Sequence, residues 1–181
     1  MTMTITPAHS LAKKALIAAT IAAGASFSPV ACAAQASATA SGTVVAPIAI
    51  TAVSQLAFGS FAPGPGGTVT VDTGGARSAV GAILVGSAPV TAARFHITGQ
   101  AGLTYSIVHG GSTQLNNGAA SMTLTKFSDL AGVNGVSGNV SSGVLDGAGS
   151  QSLFVGGTLA VAANQTPGLY SGTVIASVEY N

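Results

Sequence analysis

Charge is what this sequence has least of. Only 5% of its 181 residues are Asp, Glu, Lys or Arg, against about 25% in an ordinary soluble domain. A cytosolic monomer so poor in charge would dissolve badly, which favours export or assembly. Two of the five basic residues, Lys13 and Lys14, lie close to the N-terminus. Beyond them Arg77, Arg94 and Lys126 face Asp72, Asp129, Asp146 and Glu179, three against four. This leaves no basic patch for nucleic acid and no polybasic segment for anionic lipid. Tryptophan is absent and aromatics are 5%, too few for base- or sugar-stacking platforms, or for the aromatic girdles of a membrane barrel. Cys32 is the only cysteine, so no intramolecular disulfide exists. Long runs of 3.6-residue period are missing, and the 25 glycines each penalise a helix by about 1 kcal/mol relative to alanine.

Catalytic material is equally thin. His96 and His109 are the only histidines after the leader, neither at metal-ligand spacing with another, and both read as surface residues of strands. The four carboxylates are scattered singly, so they supply neither a glycosidase pair nor a calcium loop. Gly64, Gly66 and Gly67 approach a phosphate-loop composition, but Pro63 and Pro65 remove N–H donors and no lysine follows. Arg94 reads as a solvent-facing side chain. The expectation is a non-enzymatic protein with no catalytic residues, cofactor, metal site or small-molecule substrate.

The N-terminus has the three parts of a secretory signal: the Lys13-Lys14 pair, an apolar run from Ala15 to about Ala25, and small residues around Ala31–Ala38. The expected organisation is a leader over residues 1–36, cleaved between 31 and 38. An extension or first strand follows over 37–50, then a domain over 51–181. Acylation of Cys32 is the alternative, disfavoured by Pro29 where a leucine is expected. Export places the protein in the periplasm in transit, then at the cell surface or outside the cell.

From Ser37 onward extended runs rich in Thr, Val, Gly, Ser and Ala recur every ten to fifteen residues or so, the spacing of an all-β sandwich or barrel. The runs are Thr43–Thr51 interrupted by Pro47, Leu56–Phe61, Thr68–Asp72, Ala79–Val85, Arg94–Thr98, Leu103–Val108, Met122–Phe127 and Leu153–Val161. Asn117-Gly118 suits a tight turn, and Gly156-Gly157 reads as a bulge. Asp129–Ser150 reads as a long loop with a short strand near Val140–Leu145. Phe58, Phe61, Phe95 and Tyr105 are the expected core anchors.

The last run, Gly168–Asn181, sets Gly168, Tyr170, Gly172, Val174, Ala176, Val178 and Tyr180 on one face of an extended strand. A strand that ends a chain must find partners elsewhere for its backbone groups. With Gly168 fourteenth from the end and Tyr180 penultimate, the run resembles the C-terminal motif of pilus subunits handled by the chaperone-usher pathway, and Leu56–Pro63 is similar to the early strand of spore coat U-type pilins. More broadly, LAFGSF, GTVTV, ARFHITGQAGLTYSI, MTLTKF, LFVGGTLAV and GLYSGTVIASVEY resemble the secreted bacterial family known as domain of unknown function 4402.

The pilin resemblance implies an immunoglobulin-like sandwich lacking its final strand, completed by strand donation from the next subunit. It also implies a homopolymer, a periplasmic chaperone and an outer-membrane usher. The terminal residues above would form the groove edge, and Val44, Ala46, Ile48 and Ile50 the donor segment. Two features depart from the pilin pattern: no disulfide is available, and Ala36–Val45 is small and polar until Val44. Donor and first strand therefore overlap at Thr43–Ile50, or the domain closes on itself. The leading expectation is a surface-fibre subunit assembled by donor-strand exchange. The alternative is a self-complete secreted adhesin or matrix-binding module with specificity in the Asp129–Ser150 loop.

Overall fold

The computed structural model describes residues 33–181. Most of the expected leader, with Cys32, lies outside the described residues. The chain divides into a unit ending at Ser41 and a second unit, Gly42–Asn181. Residues 33–41 carry no strand and are exposed throughout.

Among the described residues of the second unit every regular element is a strand. In order they are β1 (Ala49–Ser54), β2 (Ala57–Ala62), β3 (Gly67–Val71), β4 (Arg77–Val80), β5 (Ile83–Thr91), β6 (Ala93–Thr98), β7 (Thr104–Gly111), β8 (Gln114–Asn117), β9 (Ala120–Asp129), β10 (Ser142–Val144), β11 (Ser150–Val161) and β12 (Val174–Tyr180). All pairings are antiparallel. The longest strand, β11, is the spine: Ser150–Val155 pairs with β6, Gly157–Val161 with β3, and Phe154–Leu159 with β9. A strand has two edges, so β9 runs along one while β6 and β3 share the other. β1 extends the sheet beyond β6, β4 beyond β3 and β8 beyond β9. A separate three-stranded sheet has the order β10-β7-β12, and β2 with β5 forms a two-stranded arm.

Alternation turns one face of each strand inward, and the inward faces meet in two clusters. In the first, Phe95 and Ile97 of β6 and Leu153 and Val155 of β11 pack with Tyr105 and Ile107 of β7, which lays the three-stranded sheet on the larger one. In the second, Val69 and Val71 of β3, Met122 and Leu124 of β9, and Leu159 and Val161 of β11 surround Phe58 of the arm. Leu56, between β1 and β2, touches both clusters and joins them.

Several local expectations change for identifiable reasons. Across Gly156-Gly157 the β11–β9 register runs unbroken, so there is no bulge. The glycine at 156 makes room instead: a Cβ there would overlap the Phe127 ring and stand 2.5 Å from the Val71 carbonyl oxygen. A bulge does occur in β2, where the register with β5 shifts between Phe58 and Ser60. Gly59 there adopts φ +67°, and Arg77 Nη1 donates to the flanking carbonyls of Phe58 at 2.8 Å and Ser60 at 3.0 Å. The tight turn falls on Gly118-Ala119, one residue later than Asn117-Gly118, and joins β9 to β8 rather than directly to β7. Ala79–Val85 is not one strand but breaks at Gly81-Ala82 into β4 and β5. β5 then continues through Pro89, which it tolerates because only β2 pairs with it.

The terminal strand is shorter than its alternation implies. β12 begins at Val174, preceded only by an isolated bridge between Ser171 and Asn116. From Val174↔Gly111 to Ser171↔Asn116 the C-terminal segment retreats three residues while its partner advances five, so two extra partner residues interrupt the ladder.

Two substitutions test this packing. Gly156→Ala is expected to cost about 2–3 kcal/mol in denaturant unfolding, through overpacking. Gly147→Ala, with nothing within 4 Å of its new methyl, is expected to stay within about 0.5 kcal/mol. The Tyr105 hydroxyl is buried without a hydrogen-bond partner, and burial pushes its pKa up. Tyr105→Phe removes that unsatisfied group and is expected to raise stability by about 1 kcal/mol, read as a higher denaturation midpoint.

Candidate functional site

A row of unpaired backbone groups defines the site. β12 pairs with β7 along one edge, and among the described residues no strand pairs with the other. Across from it stand β1, paired only with β6, and β2, paired only with β5. Tyr180 lies beside Ala46, whereas Gly172 and Val174 lie near Gln55 and Leu56, so β1 and β12 run in opposite directions.

Between them opens a cleft in two parts of about 800 and 680 Å3. The parts share Gln55, Leu56, Pro89, Gly172 and Val174 and are therefore continuous. Buried core residues line them: Phe58, Met122, Leu124 and Val161 in the larger, Ala93 and Phe95 in the smaller. Sheet cores normally end under a strand; here two clusters end under a gap.

The two ends of the gap are held differently. At one, Tyr180 Oη donates to the Ala46 carbonyl at 2.9 Å and accepts from the Gln100 N–H at 2.6 Å, while the Ala46 N–H donates to Gln100 Oε1 at 3.4 Å. At the other, the Tyr170 ring packs on the second cluster. Its hydroxyl donates to the Thr166 carbonyl at 2.7 Å and accepts from Gln165 Nε2 at 2.7 Å.

Of the terminal residues singled out from the alternation, Val174, Ala176, Val178 and Tyr180 form the inward face of β12 and are only half-buried against the first cluster. Tyr170 and Gly172 line the cleft from the irregular segment before β12, and Gly168, also on its lining, lies against the Asn117 side chain. Val44 is 98% exposed, Ala46 sits in the Tyr180 clasp, Ile48 packs on the first cluster, and Ile50 is paired with Ile97 inside the large sheet. Among the aromatic positions Phe58, Phe95 and Tyr105 are buried, while Phe61 is half-buried on the cleft wall. Leu115, Met122, Leu124 and Val161 complete the lining. Met122 and Leu124 belong to the extended run Met122–Phe127, but no local signal tells that they lie under a gap.

The ionisable residues knit loops. His109 Nε2 lies 2.8 Å from the Val140 carbonyl and 3.1 Å from Ser128 Oγ, half-buried rather than at the surface. A carbonyl only accepts, so this nitrogen carries the proton and donates; it therefore cannot take the Ser128 proton as a base. Asp72 and Asp146 each accept from backbone amides of their own turns. Arg94 lies over the Phe154 ring, 5.7 Å from its centroid, and Lys126 Nζ donates to the Gly110 carbonyl, joining β9 to β7. Burial pulls the Lys126 pKa down. Among the described residues no three metal-capable side chains gather.

Asp129 accepts from the Thr73 hydroxyl and from the amides of Ala131 and Gly132. Burial acts to raise its pKa, but these bonds outweigh that and hold the carboxyl below its ordinary value. A depressed carboxylate stabilises the fold fully above its unfolded pKa of about 4 and loses that contribution as pH falls through the folded value. Asp129→Asn is thus expected to flatten the loss of the denaturation midpoint between pH 6 and pH 3. An equal loss in both proteins would contradict the assignment.

The family described as Domain of unknown function (DUF4402) matches residues 48–180, well over half of the chain, and the chain belongs to that family. No curated protein and no solved structure matches it.

Proposed function

We propose that this member of the family is an exported, pilin-like structural subunit that polymerises into a surface fibre when a strand from a neighbouring copy fills the cleft beside β12. The observation that carries the reading is the free edge of β12, with a cleft lined by core residues opening at its Val174 end. Strand order supports it. An immunoglobulin-type sandwich has strands A, B, E and D in one sheet and C, F and G in the other. Here β1-β6-β11-β9 stand in the order A, B, E, D, and β7-β12 stand as C and F, with the place of G open. The arm and the short strands β3, β4, β8 and β10 are additions to this plan.

Strand addition suits the composition as well. Backbone hydrogen bonds supply affinity without charged side chains, each worth about 1 kcal/mol net, and apolar contacts with the cleft floor add to them. In this reading a periplasmic chaperone holds the open edge first, an outer-membrane usher exports the subunit, and the homopolymer follows at the cell surface.

The test is a denaturing gel of secreted protein loaded without boiling. A ladder of multiples is expected, collapsing to monomer on boiling and absent from a chain lacking residues 39–47. Monomer in every lane, with globular particles by negative-stain microscopy, would overturn the reading in favour of a self-complete binding module.

A further inference from the structure

We propose that Asn117 is a site of spontaneous covalent modification, where the side-chain amide becomes a carboxylate and unties one wall of the cleft, whether or not the cleft takes up a strand.

An asparagine followed by glycine can close on itself, because glycine carries no side chain to hold its nitrogen away. The backbone nitrogen of Gly118 attacks Cγ of Asn117. The N–Cγ bond forms as the Cγ–Nδ2 bond breaks, and the Gly118 proton leaves with Nδ2 as ammonia. Water then opens the five-membered imide at one or the other carbonyl, which gives aspartate or isoaspartate.

Asn-Gly occurs twice, at 117–118 and 134–135, and the fold treats the two glycine nitrogens oppositely. Gly118 is exposed at the tip of the β8–β9 hairpin, with nothing within 4 Å of its Cβ position. Its N–H donates to no described residue. Gly135 is boxed in: its N–H donates to Thr73 Oγ1 at 2.8 Å, its carbonyl accepts from the Thr73 N–H at 3.1 Å, and Asp129 Oδ2 stands 2.8 Å from its Cβ position. That nitrogen must first break its hydrogen bond before it can turn on Cγ of Asn134. Asn116, Asn139 and Asn164 precede residues that carry side chains.

The place of Asn117 gives the reaction its effect. Nδ2 donates to the Pro167 carbonyl at 3.3 Å, and Gly168 lies against the same side chain. Both residues belong to the segment Gln165–Val174, which lines the larger part of the cleft. A carboxylate only accepts, so two acceptors then face each other and the tie becomes a repulsion. No lining residue of that part is charged, and the product sets a negative charge beside it. Isoaspartate also adds a methylene to the backbone of β8 opposite Ala120.

The test incubates the folded chain at mildly alkaline pH and maps its peptides by mass spectrometry, with chromatography to separate aspartate from isoaspartate. Asn117 is expected to convert at least about fivefold faster than Asn134, the rate equivalent of one net hydrogen bond, whereas denatured chain converts both at similar rates. Equal rates in the folded chain, a faster Asn134, or an inert Asn117 where denatured chain reacts would overturn the proposal. Asn117→Asp carries the product's charge from the start, and its amides from Gly168 to Thr173 are expected to exchange about fivefold faster than those of fresh parent protein. Unchanged exchange would overturn the untying of the cleft wall.

Discussion

The structure depends on one unsatisfied strand edge. Backbone N–H and C=O groups on a strand edge need partners, and β12 leaves one edge without a partner strand beside side chains that pack on the core. Inward residues of β12 are half-buried where those of β6 and β11 are buried. The first cluster is therefore tightly closed around the spine and loosens toward the terminal strand. Proteins usually blunt such edges with charge, proline or a covering element. On this chain Glu179 is the only charged residue on β12, and it points away from the core.

How far the remainder of the molecule serves that edge shows in its polar bonds. Asp72, Asp146 and the Asp129–Thr73 pair secure turns and loops, and Arg77 satisfies the bulge at Gly59. Asp72, Asp146, Asp129 and Arg77 thus secure local backbone geometry, while Lys126 ties β9 to β7 and Arg94 covers the Phe154 ring. The Tyr180–Ala46–Gln100 bonds tie the C-terminal end of β12 to the segment before β1, while Tyr170 lines the cleft before its other end.

Much of the fold was legible because alternation is local. β3, β6, β7 and β9 fall where Thr68–Asp72, Arg94–Thr98, Leu103–Val108 and Met122–Phe127 alternate, and β10 falls inside the stretch marked near Val140–Leu145. The arm was legible only in part: β2 falls on the run Leu56–Phe61, whereas of β5 only its start fell within Ala79–Val85, because Gly86 and Pro89 interrupt the pattern of the rest. Gly156-Gly157 misled because a glycine that makes room for Phe127 looks the same as one that kinks a strand. For the site, the inward face of β12 was readable from Val174, Ala176, Val178 and Tyr180. The cleft floor was not, since Phe58, Met122 and Val161 meet only through pairings distant in sequence. Nor was the commitment of Ala46–Ile50 to its own domain, which rests on Tyr180 and β6 far along the chain.

Amide hydrogen exchange across Val174–Tyr180 tests the central claim most directly. Alternate amides of β12 point to β7 and to the cleft. Assembled protein should protect both sets, whereas monomer recovered by unfolding and refolding should lose protection at the cleft-facing set alone. Equal protection of both sets in monomer and assembly would mean that the edge is already paired within one chain, and would contradict the account.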